Sequence, residues 1–190
     1  MRKLTMLIAT VGVAFAVTSA PVQADQAADL KAMANAKIKV WAHDAKVIAA
    51  IKAQNAKHAA LDQASIIKLD KQWRAETSAS SKPMIDGILG NDLSAFLKGI
   101  QGKNGDLFTE IFVMDNKGMN VGQSAITSDY WQGDEAKWKK SYGNGAGAVH
   151  IGKVKQDESS QKFQSQVSVA ISEGGKVIGA VTVGVNVEEL

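Results

Sequence analysis

Cysteine is absent from all 190 residues. That excludes disulfide staples, thiolate metal sites, a cysteine nucleophile, c-type haem attachment and a lipid-modified cysteine. Proline occurs twice, at Pro21 and Pro83, so little in the chain interrupts long helices. Arginine also occurs twice, at Arg2 and Arg74, which leaves few places for bidentate recognition of a carboxylate or phosphate. The three histidines, His43, His58 and His150, are scattered, with no H-x-x-x-H or H-x-H pair to hold a metal. The oxygen spacing of a calcium loop is missing around Asp129, Asp134 and Glu135. Gly143, Gly145 and Gly147 form a flexible loop without the lysine of a phosphate-binding loop, and no nucleophile elbow is present. The sequence therefore leads us to expect no metal, no cofactor and no catalytic set. The remaining composition is 45% hydrophobic and 22% charged, which places the chain among ordinary globular domains rather than disordered ones.

The first 24 residues set the compartment. Arg2 and Lys3 precede an apolar stretch from Leu4 to Val17, and Val22-Gln23-Ala24 is an A-x-A-like processing site. A charged start, a short apolar region and a small-residue site make a secretory signal peptide; an uncleaved anchor is the alternative. The expected location is the periplasm, where a cysteine-free protein is at no disadvantage. Removing residues 1–24 takes away two basic residues and no acidic one, so the formal charge falls from +3 to +1. The mild basicity is thus largely an export label, and no nucleic-acid partner is expected.

Residues 25–76 contain neither glycine nor proline and are rich in Ala and Lys. Leu30, Met33, Ile38, Trp41, Val47, Ile48 and Ile51 repeat at helical spacing, followed by Leu61, Ile66, Ile67, Leu69 and Trp73. This predicts one long helix, or two with a break between Asn55 and Ser65. Without sustained heptads, a coiled coil is the weaker reading. Ser81 and Pro83 mark a short helix ending at Gly90, and Asn91 or Asp92 caps another that carries Leu93, Phe96, Leu97 and Ile100.

After Gly105 the period changes to that of strands. Phe108 to Met114 and Met119 to Ser124 flank an Asp115-Asn116-Lys117-Gly118 turn, which predicts a hairpin. A polar and aromatic connection follows, with a short helix expected from Glu135 to Tyr142 and Asp134 as its cap. Val149 to Val154, Phe163 to Ile171 and Val177 to Val187 complete the pattern, the last two joined at Glu173-Gly174-Gly175-Lys176. The expected fold class is α+β: a long N-terminal helix packed on a five-stranded antiparallel sheet. The expected division is residues 1–24 as leader, 25–76 as helical segment and 77–190 as the sheet domain, the last two forming one folded unit.

This order of elements is similar to the extracytoplasmic PAS-like sensor fold called the Cache (PDC) domain. The resemblance rests on Leu69-Asp70-Lys71-Gln72-Trp73, on the hairpin from Phe108 to Gly118, on the crossover from Thr127 to Trp138 and on the strand from Ile178 to Val185. It implies a pocket between sheet and crossover that binds an amino acid, an amine or an organic acid. It also implies a non-catalytic role in signal transduction through a partner such as a membrane receptor. The chain ends soon after its last strand, so the expectation is a free-standing periplasmic version. Amino-acid-binding members place an arginine in the crossover. Here the only arginine beyond the leader is Arg74, on the helical segment.

The candidate ligand-binding residues are Asp129, Tyr130, Trp131, Trp138 and Glu110. Asp129 supplies charge, and Tyr130 and Trp131 supply aromatic faces in a connection that a sheet would hold in place. Trp138 serves equally well as packing for its short helix. Glu110, with Gln164, Gln166 and Ser168, alternates with apolar neighbours and forms either a solvated face or the floor of a pocket. Two other functions compete with the sensor: an interaction module that homodimerises through the N-terminal helix, and an exported enzyme built on the crossover carboxylates.

Overall fold

A computed structural model describes residues 20–156 and 162–190. The expected leader lies outside the described residues as far as residue 19, and the first helix already includes its last residues. That helix, α1 (Ala20–Met33), runs into a π-helical turn (Ala34–Ile38) and then α2 (Lys39–Ala42), α3 (Ala45–Lys57) and α4 (Gln63–Thr77). The expected break falls between His58 and Asp62, where the Asp62 carboxylate accepts from the Ser65 N–H at 2.8 Å.

Two further interruptions were not expected. Asp44 caps α3 by accepting from the Lys46 N–H at 2.8 Å, a side-chain bond that competes with continuous helix. The π-turn inserts a residue and so rotates the apolar stripe, which keeps Leu30, Ala34, Ile38 and Ala42 buried together. With Val47 and Ile51 they cover one face of this chain's own sheet.

Helix α5 (Pro83–Leu89) has Pro83 in its first turn but no cap from its own N-terminal neighbour. Its cap comes from α4. The Glu76 carboxylate accepts from the Met84 N–H at 2.8 Å and the Ile85 N–H at 3.1 Å, which satisfies donors that a helix start leaves open. Asn91 caps α6 (Asp92–Lys103) through the Ser94 N–H.

The sheet holds β1 (Phe108–Met114), β2 (Asn120–Gln123), β3 (Val149–Ile151), β4 (Lys155–Gln156), β5 (Phe163–Glu173) and β6 (Lys176–Asn186). Its order is β2-β1-β6-β5-β3, all antiparallel, and β4 also pairs with β5. The five expected strands are present, and β4 is a sixth. The strand expected from Val149 to Val154 stops at Ile151, and β4 lies beyond its expected end; Gly152, just after β3, still donates to the Gln166 carbonyl at 2.8 Å. The crossover contains α7 (Ala136–Lys139), shorter than expected. Its cap position is Glu135 rather than Asp134, with no side-chain cap bond.

Alternation gives the sheet two unlike faces. Ile111, Val113, Val167, Val169, Ile171, Val181, Val183 and Val185 point to one side and meet the helices in the main core. Each such side chain, fully buried, contributes about 1.5–3 kcal/mol relative to exposure. The other side carries Glu110, Phe112, Met114, Gln166, Ser168, Ala180 and Thr182, and the crossover lies over it.

Candidate functional site

Under the crossover the sheet floor is polar. Ser168 and Thr182, both fully buried, share a hydrogen bond of 2.9 Å between their hydroxyls. Gln166 donates to the Glu110 carboxylate at 2.9 Å. Thr109 and Gln164 are hydrogen-bonded beside them. Between this floor and the crossover is a cleft of about 810 Å³. Gln164, Gln166 and His150 line it from the strands, and Ser128, Glu135, Lys137 and Lys140 line it from the crossover. Lys153 and Lys155 close the end near β4.

Lys137 is the best-held cation of the cleft. Its ammonium lies 3.0 Å from Glu135, donates to Gln132 at 3.1 Å and sits 5.3 Å from the Phe112 ring centre. Lys140 has no such fixed partner among the described residues. His150 is half-buried, paired in register with Ser168, and both burial and the nearby Lys140 hold its imidazole below the ordinary value. A depressed folded value means that acidification protonates His150 in the unfolded chain first. Stability is therefore complete above the unfolded value of about 6.5 and falls as the pH drops through and below it. His150→Gln is expected to flatten the pH dependence of the melting temperature between about pH 5 and 7. An unchanged pH profile in the variant would overturn this.

The five residues singled out from the sequence do not share one site. Glu110 lies on the cleft floor through Gln166. Trp138 belongs to the crossover helix, stacks on Tyr142 with ring centres 4.6 Å apart, and donates from its indole to the Asp115 carbonyl at 3.2 Å. Trp131 donates its indole N–H to the Lys117 carbonyl at 2.8 Å and, with Trp138, lines a separate small cleft of about 350 Å³. Tyr130 is buried and stacks on Trp73 with ring centres 5.6 Å apart. Asp129 lies 2.6 Å from the Arg74 guanidinium. The arginine missing from the crossover thus reaches it from α4, where it also pairs with Asp70 at 2.7 Å. That bond and the Asp129 charge raise the Arg74 value further, so its charge is constant.

Sequence reasoning passed over Asp70, Lys137, Lys140 and His150. Lys137 and Lys140 sit three apart in the crossover, so both were legible as one face of a short helix. No local signal marks Asp70 or His150, whose partners come from distant segments.

Among the described residues no group of three or more His, Cys, Asp or Glu side chains could hold a metal ion. No described helix is long and apolar enough to cross a membrane.

No protein-family model matches the sequence, and no curated protein matches it. Solved structures that match are sensory domains of chemoreceptors and histidine kinases. The sensory domain of the Campylobacter jejuni chemoreceptor Tlp3 with isoleucine bound is 14% identical, with a TM-score of 0.39 over 88% of this chain and 59% of that one. The sensor domain of the V. cholerae histidine kinase DctB is 12% identical, with a TM-score of 0.39 over 87% of this chain and 58% of that one. The ligand-binding domain of the Pseudomonas aeruginosa amino-acid chemoreceptor PctC, in complex with GABA, is 12% identical, with a TM-score of 0.41 over 64% of this chain and 51% of that one. The chain spans less than two thirds of the length of each.

Proposed function

We propose that this chain is a small-ligand-binding sensor domain of the Cache type, exported to the periplasm, that acts without catalysis and passes its state to a protein partner. The observation that carries the reading is the cleft under the crossover. One sheet face is closed by apolar packing, whereas the opposite face presents polar side chains beneath a polar and aromatic segment. A concave site with a few convergent polar groups is the ordinary form of a small-molecule site. Residues 25–76 and 77–190 act as one unit on this reading, because the helical stripe is what closes the apolar face. The described lining sets Lys137, Lys140, Lys153 and Lys155 against Glu135. Among amino acids, amines and organic acids, that balance favours a ligand with at least one carboxylate, recognised by ammonium groups rather than by arginine.

A thermal-shift screen of the protein against these three classes tests the reading. At least one carboxylate-bearing compound is expected to raise the melting temperature in a concentration-dependent way. Lys140→Ala and Gln166→Ala are each expected to weaken that compound about tenfold with the fold intact. Equal stabilisation in both variants, or no stabilising compound, would overturn the proposal.

A further inference from the structure

A second cleft of about 810 Å³ opens on the helical side, between α3, α4, α5 and α6. Its walls are largely apolar, with Leu61, Leu69, Met84, Ile88 and Leu93. Two polar groups are set into that wall. Tyr130 is 3% exposed, lines the groove, and its hydroxyl has no hydrogen-bond partner among the described residues. His58 is buried, uses Nδ1 on Asp115 at 3.0 Å, and lines the groove with the rest of its ring. Lys57 adds an exposed ammonium beside it.

Burial, helped by the Asp115 charge, pushes the Tyr130 phenol well above its ordinary value, so the hydroxyl remains a donor. The hydroxyl is open to the groove rather than sealed in the core, so its hydrogen bond goes to solvent there, and an acceptor arriving with a ligand would take the solvent's place. The neighbouring carboxylates leave room for an anion. Asp115 is committed to His58 and Gln54, and Glu76 to the start of α5. Asp92 is the one acidic lining residue, exposed in the first turn of α6.

We propose that this groove is a second ligand site. It takes an aliphatic monocarboxylate whose chain lies along Leu69, Met84 and Ile88 and whose carboxylate accepts from the Tyr130 hydroxyl beside Lys57 and His58. The site is independent of the cleft under the crossover.

Gly87 gives a clean test. It lines the groove on α5, is exposed, and a Cβ there meets nothing within 4 Å. Gly87→Phe therefore fills the groove without displacing the core, and Tyr130→Phe removes the hydroxyl while keeping the ring on Trp73. The probes are hexanoate and 1-hexanol, followed by amide shifts in two-dimensional NMR and by the melting temperature. Hexanoate is expected to shift amides of α3, α5 and Tyr130. Gly87→Phe is expected to weaken hexanoate about tenfold or more, with 1-hexanol about tenfold weaker than hexanoate on the unaltered protein. Tyr130→Phe is expected to reduce hexanoate affinity while leaving 1-hexanol unchanged, and Lys140→Ala is expected to leave hexanoate binding intact. Equal hexanoate affinity in Gly87→Phe, shifts confined to residues 135–156, 1-hexanol binding as tightly as hexanoate, or no response to millimolar hexanoate would each overturn the proposal.

Discussion

Asp115→Ala is expected to remove about 3–5 kcal/mol of stability, the usual result of leaving a buried charge network without its central carboxylate. Asp115 is fully buried in the β1–β2 turn. One carboxylate oxygen accepts from the Lys117 N–H at 2.8 Å and the Met119 N–H at 2.9 Å, which shapes the turn. The other accepts from the Gln54 amide at 3.1 Å and meets His58 Nδ1 at 3.0 Å, which ties the turn to α3. Gly118 completes the turn with φ 83°, and a Cβ there would come within 2.6 Å of Gly133 Cα, so the crossover packs directly on it. The alanine variant leaves two backbone donors and a buried histidine without their acceptor, while the Gln54 amide keeps the Met119 and Asn120 carbonyls. For a domain of ordinary stability, about 5–15 kcal/mol, that is a large fraction. Urea unfolding followed by circular dichroism measures it. A loss below about 1 kcal/mol, the value of one ordinary hydrogen bond, would show that the network contributes little. Asp115→Asn, which retains an acceptor for one side only, is expected to fall between the two proteins.

The same turn shows how far the sequence can be read. Asp115 to Gly118 is legible as a tight turn because glycine and aspartate have local reasons to be there. The alternation of Val181, Val183 and Val185 is legible because a strand exposes its period in its own residues. His58 looks like an isolated histidine, and nothing near it announces an aspartate 57 positions away. The start of α5 misleads for a related reason. Ser81 and Pro83 have the local look of a helix start, but the donors are satisfied by Glu76 from the preceding helix. The polar residues of β5 were legible as either solvated or pocket-forming. Only the path of the crossover over them makes them the floor of a cleft. Asp129 and Arg74 show the same limit on the ligand side. Each was read in its own segment, one as a binding residue and one as outlying, and the fold pairs them at 2.6 Å. Local chemistry is visible in sequence, whereas the identity of a partner is set by tertiary contact.

Asp70→Ala is expected to cost about 2–4 kcal/mol, since a buried, hydrogen-bonded carboxylate is removed from two backbone donors and a guanidinium. One of its oxygens accepts from the Tyr130 and Trp131 N–H groups, both at 3.0 Å, and the other accepts from Arg74 Nε at 2.7 Å. It is therefore a clamp between α4 and the crossover rather than a surface charge, although its place on a Lys-rich helix suggests the latter. Two comparisons separate these roles. Arg74 is half-exposed, so Arg74→Ala is expected to cost no more than about 1 kcal/mol, as surface ion pairs do. Asp129→Ala removes the outer ion pair and an exposed bond from the Ser128 hydroxyl, and is expected to cost less than Asp70→Ala. If the three variants are equally destabilised, charge pairing outweighs the backbone clamp and the assignment fails. Hydrogen exchange gives the local readout: the Tyr130 and Trp131 amides are expected to lose protection in Asp70→Ala before the β5 and β6 amides do. The consequence reaches the proposed ligand cleft, because Ser128, Glu135 and Lys137 belong to the crossover that Asp70 holds. A loosened roof must be ordered again when a ligand binds, so the folded variant is expected to show weaker ligand-induced stabilisation even though Asp70 does not line the cleft.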